Sequence, residues 1–374
     1  MKLTKFAMPI LSAVICTPAV AGVIEIGAEL QKYALLSNTY MSGGDSAIIH
    51  GSILSKTYAT SGAGTSVFGD FRGGGVVTLA AGGQASGDVQ SKLDVTVAAG
   101  GIVAGNVVAA GGVGTMSAGS GVGGNFTASG ESALAPDANL VGEWRVGADA
   151  IQRAEDAGSD EYDNAVATDE DFLEDVKSEI DDNIASATTE LINIKGELDL
   201  LVPTVYLDAT MNTDRTFIAG IYSAPSWSTT AATTLLLDAN FQDDQIWVFN
   251  IGDIFAFGGV STVKMINLNE GDKAQVIWNT KGYISIGDGA NIVGTMMSDE
   301  KIMVGANSTV KSASQQSCAG LYSTSSFVSI GASSVIGGEG CSTVDIPEPS
   351  TYSMLLAGFG LMGFISRRRY KKNA

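Results

Sequence analysis

The chain has 374 residues, with 40 acidic and 21 basic side chains and a formal net charge of −19 at pH 7. This charge argues against nucleic acid as a partner, because contacts to phosphates need a basic surface. The single histidine, His50, excludes a histidine-based catalytic triad and a metal site with several histidine ligands. Hydrophobic residues make up 45% of the chain, too many for a disordered polyanion.

The first 21 residues have the features of a secretory signal peptide. Lys2 and Lys5 precede an apolar run, and Ala19-Val20-Ala21 offers a small-x-small cleavage site. We therefore expect signal peptidase to cut after Ala21. The exported chain would keep Cys318 and Cys341, which would either form a disulfide in an oxidising compartment or remain as two buried free thiols.

A glycine, a small or polar residue and an apolar residue recur as a triplet in the first half of the chain. The triplets begin 18 or 19 residues apart, at Gly51, Gly69, Gly87, Gly105, Gly124 and Gly142. About 18 residues make three short strands with tight corners, which is one coil of a β-helix with its apolar residues stacked inside. Low-complexity disorder is the alternative, but it would not keep the apolar positions in register.

An acidic segment of about residues 147–200 interrupts this repeat. Apolar residues spaced by three or four predict an α-helix of roughly 30 residues: Phe172, Val176, Ile180, Ile184, Ala187, Leu191, Ile194 and Leu198. Thr168 with Asp171 is the expected N-terminal cap, and Pro203 closes the region. The apolar face should pack on the β-helix and the acidic side should face solvent. Calcium at Asp169, Asp171 and Asp175 is the alternative, but it lacks the loop spacing of calcium ligands.

Strand-like sequence returns after the helical segment. Ile284-Ser285-Ile286-Gly287 and Ile302-Met303-Val304-Gly305 restore the 18-residue spacing. The sequence therefore predicts a mainly β fold, a β-helix solenoid with about 18 residues per coil and one long α-helix packed alongside. We expect one continuous domain over residues 22–345, with extra glycine-rich coils at about 51–145 and strands with closing coils at about 203–340.

The last 29 residues, 346–374, have the layout of a sorting signal. Pro347, Glu348 and Pro349 precede a short apolar stretch at 353–365, which is followed by Arg367, Arg368 and Arg369. This order resembles the PEP-CTERM sorting signal of Gram-negative bacteria. The resemblance implies transient anchoring in the inner membrane through this tail alone, cutting by an exosortase near the triplet, and delivery to the cell surface or the medium. An ordinary tail anchor is the alternative.

Several strand segments resemble the ice-binding-like β-helix family of secreted microbial proteins. The similar pieces are Gly220-Ile221-Tyr222-Ser223, Leu235 to Ala239, Ile246 to Gly252 and Val276-Ile277-Trp278. The resemblance implies a β-helix of irregular triangular section with a long α-helix beside it. Two features complicate it, since the repeat at 60–145 is longer than is usual in that family, and choice-of-anchor A surface proteins share the layout of coils and sorting tail.

Four threonines share one position of the repeat and form a candidate binding face. Thr60, Thr78, Thr96 and Thr115 follow one another at 18 or 19 residues, and alternation with apolar neighbours points Thr78 and Thr96 outward. Neighbouring β-helix strands lie about 4.7–4.9 Å apart, so such a column forms a regular ladder suited to ice or a flat polymer. The alternative is that threonine simply suits exposed strand positions.

These features predict a secreted, surface-sorted binding protein that acts on ice. The alternative function is a non-catalytic adhesin or a scaffold of the extracellular polysaccharide matrix. We expect no catalytic residue, metal or cofactor, because the chain has neither a Gly-x-Ser-x-Gly elbow nor a P-loop. The expected partners are signal peptidase, exosortase, and ice or polysaccharide.

Overall fold

The computed structural model describes residues 26–156, 164–314 and 319–338. These residues form three parallel β-sheets, a short 3₁₀ helix at Leu30–Lys32 and two α-helices, α1 (Ala148–Asp156) and α2 (Glu170–Asp199). The expected β-helix with one long helix is therefore confirmed. The shorter α1 is an addition, and it packs Ala150 against Val146 at the last coil of the glycine-rich half.

The three sheets are the three sides of the solenoid. Each of twelve full turns of the chain adds one strand to each sheet, and Trp144–Val146 and Val166–Ala167 beside the helices add two more to sheet 1. Sheet 1 has fourteen strands, in spatial order Val166–Ala167, Trp144–Val146, Phe126–Ala128, Val107–Ala109, Val89–Ser91, Phe71–Gly73, Ser52–Ser55, Tyr33–Ser37, Leu321–Ser323, Thr295–Ser298, Ala274–Thr280, Gln245–Ile251, Gly220–Ala224 and Val205–Tyr206. Sheet 2 has twelve strands, in spatial order Ser132–Leu134, Gly114–Met116, Val95–Val97, Val77–Leu79, Ala59–Thr60, Met41–Gly43, Val328–Ile330, Ile302–Val304, Ile284–Ile286, Phe255–Phe257, Trp227–Thr229 and Thr210–Met211. Sheet 3 has twelve strands, in spatial order Asn139–Leu140, Gly121–Val122, Ile102–Val103, Gln84–Ala85, Ser66–Phe68, Ile48–His50, Val335–Ile336, Thr309–Lys311, Asn291–Val293, Thr262–Ile266, Thr234–Asp238 and Arg215–Ile218.

The order of the strands in space differs from their order along the chain. The first strand of sheet 1, Tyr33–Ser37, lies in the middle of the sheet, paired on one side with Ser52–Ser55 and on the other with Leu321–Ser323. The chain winds from this centre to one end, crosses the length of sheet 1 as α2, and then winds back from the other end. The first and last described coils are therefore neighbours.

The interior is filled differently in the two halves. The glycine-rich half stacks small aliphatic residues such as Val77, Val95 and Val107. The other half stacks aromatic rings, with Phe249 and Trp278 centroids 4.2 Å apart and Trp227 in the same stack. The coils of the aromatic half also differ in length. The step from Trp247 to its pair Val276 is 29 residues, whereas the step from Trp278 to Met296 is 18, so the expected 18 residues per coil is wrong for part of this half.

Helix α2 is 30 residues long, as the apolar spacing predicts, but it differs from the prediction at its first turn. The cap is Asp169, whose side chain accepts from the backbone N–H of Asp171 at 3.0 Å, and not Thr168. Leu173 is buried, whereas Phe172 is 40% exposed. A stripe that starts at Leu173 keeps closer to 3.6 residues per turn, which explains why it replaces Phe172.

Candidate binding surface

The four predicted threonines lie on adjacent strands of sheet 2. Thr60 pairs with Thr78, Thr78 with Thr96, and Thr96 with Thr115. In each of the triplets around Thr78 and Thr96 the flanking apolar residues are buried and the threonine is partly exposed. The side chains therefore point outward from the sheet, as the alternation predicts.

The same column continues across the whole of sheet 2. Ser42 pairs with Thr60 on one side and with Ser329 on the other, which joins the threonines to strands from the end of the described chain. In spatial order the column is Ala133, Thr115, Thr96, Thr78, Thr60, Ser42, Ser329, Met303, Ser285, Ala256, Ser228 and Thr210. Nine of these twelve side chains carry a hydroxyl group, none is charged, and only Met303 is long.

A second column of small residues runs beside the first, two residues further along each strand. Its members are Ala135, Ser117, Ala98, Ala80, Gly62, Gly44, Gly331, Gly305, Gly287, Gly258, Thr230 and Asn212. A Cβ atom on Gly62 would lie 2.2 Å from the backbone carbon of Gly44, and one on Gly331 would lie 2.4 Å from the backbone nitrogen of Ala306. Glycine therefore allows neighbouring coils to stack closely here. We call the two columns together the flat face.

Aromatic rings border the flat face at the corner that leads in from sheet 1. Tyr40 stacks on Tyr58 at a centroid distance of 4.9 Å and on Phe327 at 4.7 Å. Further along the same edge, the Lys301 ammonium lies 5.0 Å from the centre of the Tyr283 ring. Tyr58 remains 48% exposed, so this border adds accessible aromatic surface to a face of small side chains.

Sequence reasoning found four members of the central column and missed the rest. The serines of Val328-Ser329-Ile330 and Ile284-Ser285-Ile286 occupy the same place in their triplets as Thr78 does in Val77-Thr78-Leu79. An apolar–hydroxyl–apolar triplet was therefore the available signal. It could not be used across the helix, because the sequence does not reveal that the first and last coils are neighbours.

Charged side chains concentrate on α2, away from the flat face. The Arg72 guanidinium contacts Glu179 of α2 at 2.7 Å, and Lys92 pairs with Asp181 of the same helix. Some of the acidic side chains of α2 thus form ion pairs with basic residues on the side of sheet 1. Within residues 26–156, 164–314 and 319–338, no group of three or more His, Cys, Asp or Glu side chains is arranged to hold a metal ion, and the Asp169, Asp171 and Asp175 alternative gains no support.

Other predicted features lie outside the described residues. These are the signal peptide at 1–21, the cysteines Cys318 and Cys341, and the sorting motif with Pro347, Glu348, Pro349, Arg367, Arg368 and Arg369. Among the helices that the structure describes, none has the length and apolar character needed to span a membrane.

Comparisons with known proteins address both the fold and the tail. Residues 145–336 match the Ice-binding-like family model, and residues 345–369 match the PEP-CTERM protein-sorting motif, which marks the chain for export and sorting to the cell surface. A search of curated proteins gives no match.

Among solved structures, the chain is similar to the DUF3494 domain of Shewanella frigidimarina ice-binding protein 1. The identity is 16%, the similarity covers 83% of this chain and 95% of that one, and the TM-score is 0.44. It is also similar to the ice-binding protein of the Antarctic ascomycete Antarctomyces psychrotrophicus, at 12% identity over 83% of this chain and 96% of that one, with a TM-score of 0.42. The family model covers more than half of the 374 residues, and the chain belongs to the Ice-binding-like family.

Proposed function

We propose that this protein binds ice through the flat face of sheet 2. The observation that carries the proposal is the central column of twelve uncharged side chains, one from every strand of the sheet, of which nine carry a hydroxyl group and only Met303 is long. Strands about 4.8 Å apart extend this column over roughly 50 Å. A surface of this regularity can hold many water molecules in one repeating arrangement, which a solid lattice requires.

The chemistry of the column suits ice better than it suits a charged ligand. Apart from Ser228, whose hydroxyl donates to the Ala209 carbonyl at 3.3 Å, the hydroxyls of the column can donate one hydrogen bond to water and accept others, while the threonine methyl groups and alanines present apolar surface. The adjacent column, in which nine of twelve residues are glycine or alanine, keeps the rest of the face free of long side chains. Such a face contacts an extended flat lattice without the desolvation cost that charged groups would add.

Charged substitutions on two central strands test the proposal. Thr78→Lys with Thr96→Lys places two long charged side chains in the middle of the column and should abolish thermal hysteresis and ice shaping. The matched control is Ser66→Lys with Gln84→Lys, which lie on sheet 3 in neighbouring coils and pair with each other. Circular dichroism of each variant confirms the fold. Absence of thermal hysteresis, ice shaping and ice partitioning in the wild-type protein excludes the proposal. If the control pair loses thermal hysteresis to the same extent as Thr78→Lys with Thr96→Lys, the choice of face is contradicted.

A second candidate function is a non-catalytic adhesin or matrix scaffold that binds extracellular polysaccharide. The sorting motif favours it, because the motif directs proteins to the cell surface, and so does the exposed ring of Tyr58 beside the flat face. Incubation with anionic polysaccharides separates the cases. A scaffold retains the polymer unchanged, an enzyme releases new reducing ends or unsaturated products, and a protein that acts only on ice does neither.

We also propose the processing that the termini imply. Signal peptidase would cut after Ala21, exosortase would cut near Pro347, Glu348 and Pro349, and the exported domain would lie within residues 22–345. Fractionation of cells followed by mass spectrometry of the termini tests this. The expected product begins at Gly22 and lacks Arg367, Arg368 and Arg369, whereas a surface fraction that still ends at Ala374 contradicts cleavage of the tail.

A further inference from the structure

Lys195 is a lysine of α2 that turns inward instead of toward solvent. It is 6% exposed and lies between the helix and the outer side of sheet 1. Its Nζ donates to Asn279 Oδ1 at 2.6 Å and to the Thr280 carbonyl at 2.9 Å, and it lies 3.3 Å from Asp299 Oδ1. A buried amine is costly, and an apolar residue would serve packing better at this position.

The side chain of Asn279 is held in one orientation by three neighbours. It is 1% exposed, and its Nδ2 donates to Asn250 Oδ1 at 2.9 Å and to Asp199 Oδ1 at 3.2 Å. Its Oδ1 faces Lys195. A carbonyl bond is about 1.23 Å long, so the amide carbon lies at most about 3.8 Å from the lysine nitrogen. That is near the separation of about 3–3.5 Å from which bonds form.

We propose that Lys195 and Asn279 are a modification site at which the two side chains join in an intramolecular isopeptide bond. The neutral Lys195 Nζ attacks Cγ of Asn279, and a C–N bond forms. The bond from Cγ to Nδ2 then breaks, and Nδ2 leaves with a proton taken from the lysine as ammonia. One amine and one primary amide thus give one secondary amide and one ammonia, and no oxidant or reductant is needed.

Neighbouring residues favour the uncharged lysine amine and provide a proton acceptor and a proton donor for the reaction. Burial lowers the pKa of Lys195, against the opposing effect of Asp299, and so favours the uncharged amine that can act as a nucleophile. Asp299 lies at the attacking nitrogen and can accept its proton, while Asp199 lies at the leaving nitrogen and can return one. An open cavity of about 350 Å³, lined in part by Asp199, Asn250 and Lys281, gives ammonia a path to solvent.

The bond would fasten the last turns of α2 to a central strand of the aromatic half. The two residues are 84 positions apart, so the link closes a long loop and restricts the unfolded chain. It would hold the helix in place at the point where the chain leaves it for the terminal coil. A secreted protein gains resistance to proteolysis from such a link without relying on cysteines.

Tryptic peptide mapping of the reduced, purified wild-type protein tests the proposal. A linked Lys195 is not cleaved by trypsin, so peptide 178–215 should appear joined to peptide 274–281, with a total mass lower by one ammonia. Fragment spectra should place the link at Lys195 and Asn279. Recovery of both peptides unlinked overturns the proposal. Loss of ammonia within peptide 274–281 alone, with free Lys195, also overturns it, because that is the mark of a succinimide at Asn279.

Two variants sharpen the assignment. Lys195→Met removes the nucleophile and should restore the full mass of peptide 274–281. Lys177→Met is the matched control, because Lys177 lies on the same helix with Glu174 at 2.7 Å, and it should leave the link intact. Loss of the link in the control, or ammonia loss that persists in Lys195→Met, would contradict the assignment. The wild-type measurement decides the proposal even where a variant does not fold.

Discussion

At the scale of single residues, one corner of the solenoid imposes the same backbone conformation on most of the coils that pass it. The residue four positions after ten of the twelve members of the central column has φ between 55° and 69°: Gly119, Gly100, Gly82, Gly64, Ser46, Ser333, Asn307, Gly289, Val260 and Ala232. Glycine adopts this left-handed region freely, and asparagine tolerates it. Val260 is the one β-branched residue among the ten, and a β-branched side chain is strained there.

Replacing Val260 by glycine should therefore stabilise the protein. Left-handed backbone costs an ordinary residue about 1–2 kcal/mol, and the extra freedom of glycine in the unfolded chain returns roughly 0.5–1 kcal/mol. Val260 is 69% exposed, so little burial is lost, and we expect a net gain of up to about 1 kcal/mol in the free energy of unfolding. Denaturant unfolding measures this change in the free energy of unfolding.

The matched control is Val141→Gly, at a valine of 72% exposure with ordinary φ, and this substitution should destabilise the protein. A loss of stability in Val260→Gly as large as in the control would show that the corner is not strained.

At the scale of elements, α2 connects the two halves of the solenoid. Its buried stripe contacts Val108 and Ala110 from the glycine-rich half and Ile246 and Val248 from the aromatic half. It also covers Tyr322, whose hydroxyl donates to the Tyr33 carbonyl at 2.9 Å where the first and last coils meet. The helix therefore spans the junction as well as both of its sides.

The elements that the sequence predicts well are those with a local period. The apolar spacing of α2 and the 18-residue repeat of the glycine-rich coils depend on neighbouring residues, so both are readable. The pairing of Leu35 with Leu321 and the wide coils around Trp247 depend on contacts across the molecule, and no local period encodes them. The same distinction applies to the flat face. The local repeat reveals Thr60, Thr78, Thr96 and Thr115, but it does not reveal that Ser42 lies beside Ser329.

At the scale of the whole molecule, the meeting of the first and last coils changes how the solenoid should unfold. In a linear solenoid each coil contacts only its neighbours, and the two ends can unfold separately. Here the strand Tyr33–Ser37 is paired with both halves at once, and α2 packs across both. Unfolding of either half would expose the apolar face of the helix and the coil at the junction. The coupling should therefore make the two halves lose structure together.

Tryptophan fluorescence can test this coupling because the fully buried tryptophans report on one half. Trp227, Trp247 and Trp278 all lie in the aromatic half. A Trp144→Phe background removes the tryptophan fluorescence of the glycine-rich half. In that background we add Leu79→Ala, which empties a fully buried position of the half that now lacks tryptophan and should cost about 2–5 kcal/mol. We expect the fluorescence midpoint and the far-ultraviolet circular dichroism midpoint to fall together, since the destabilised half cannot unfold without the other. A fluorescence midpoint that stays in place while circular dichroism shows an earlier separate step would mean that the halves are independent and that α2 does not couple them.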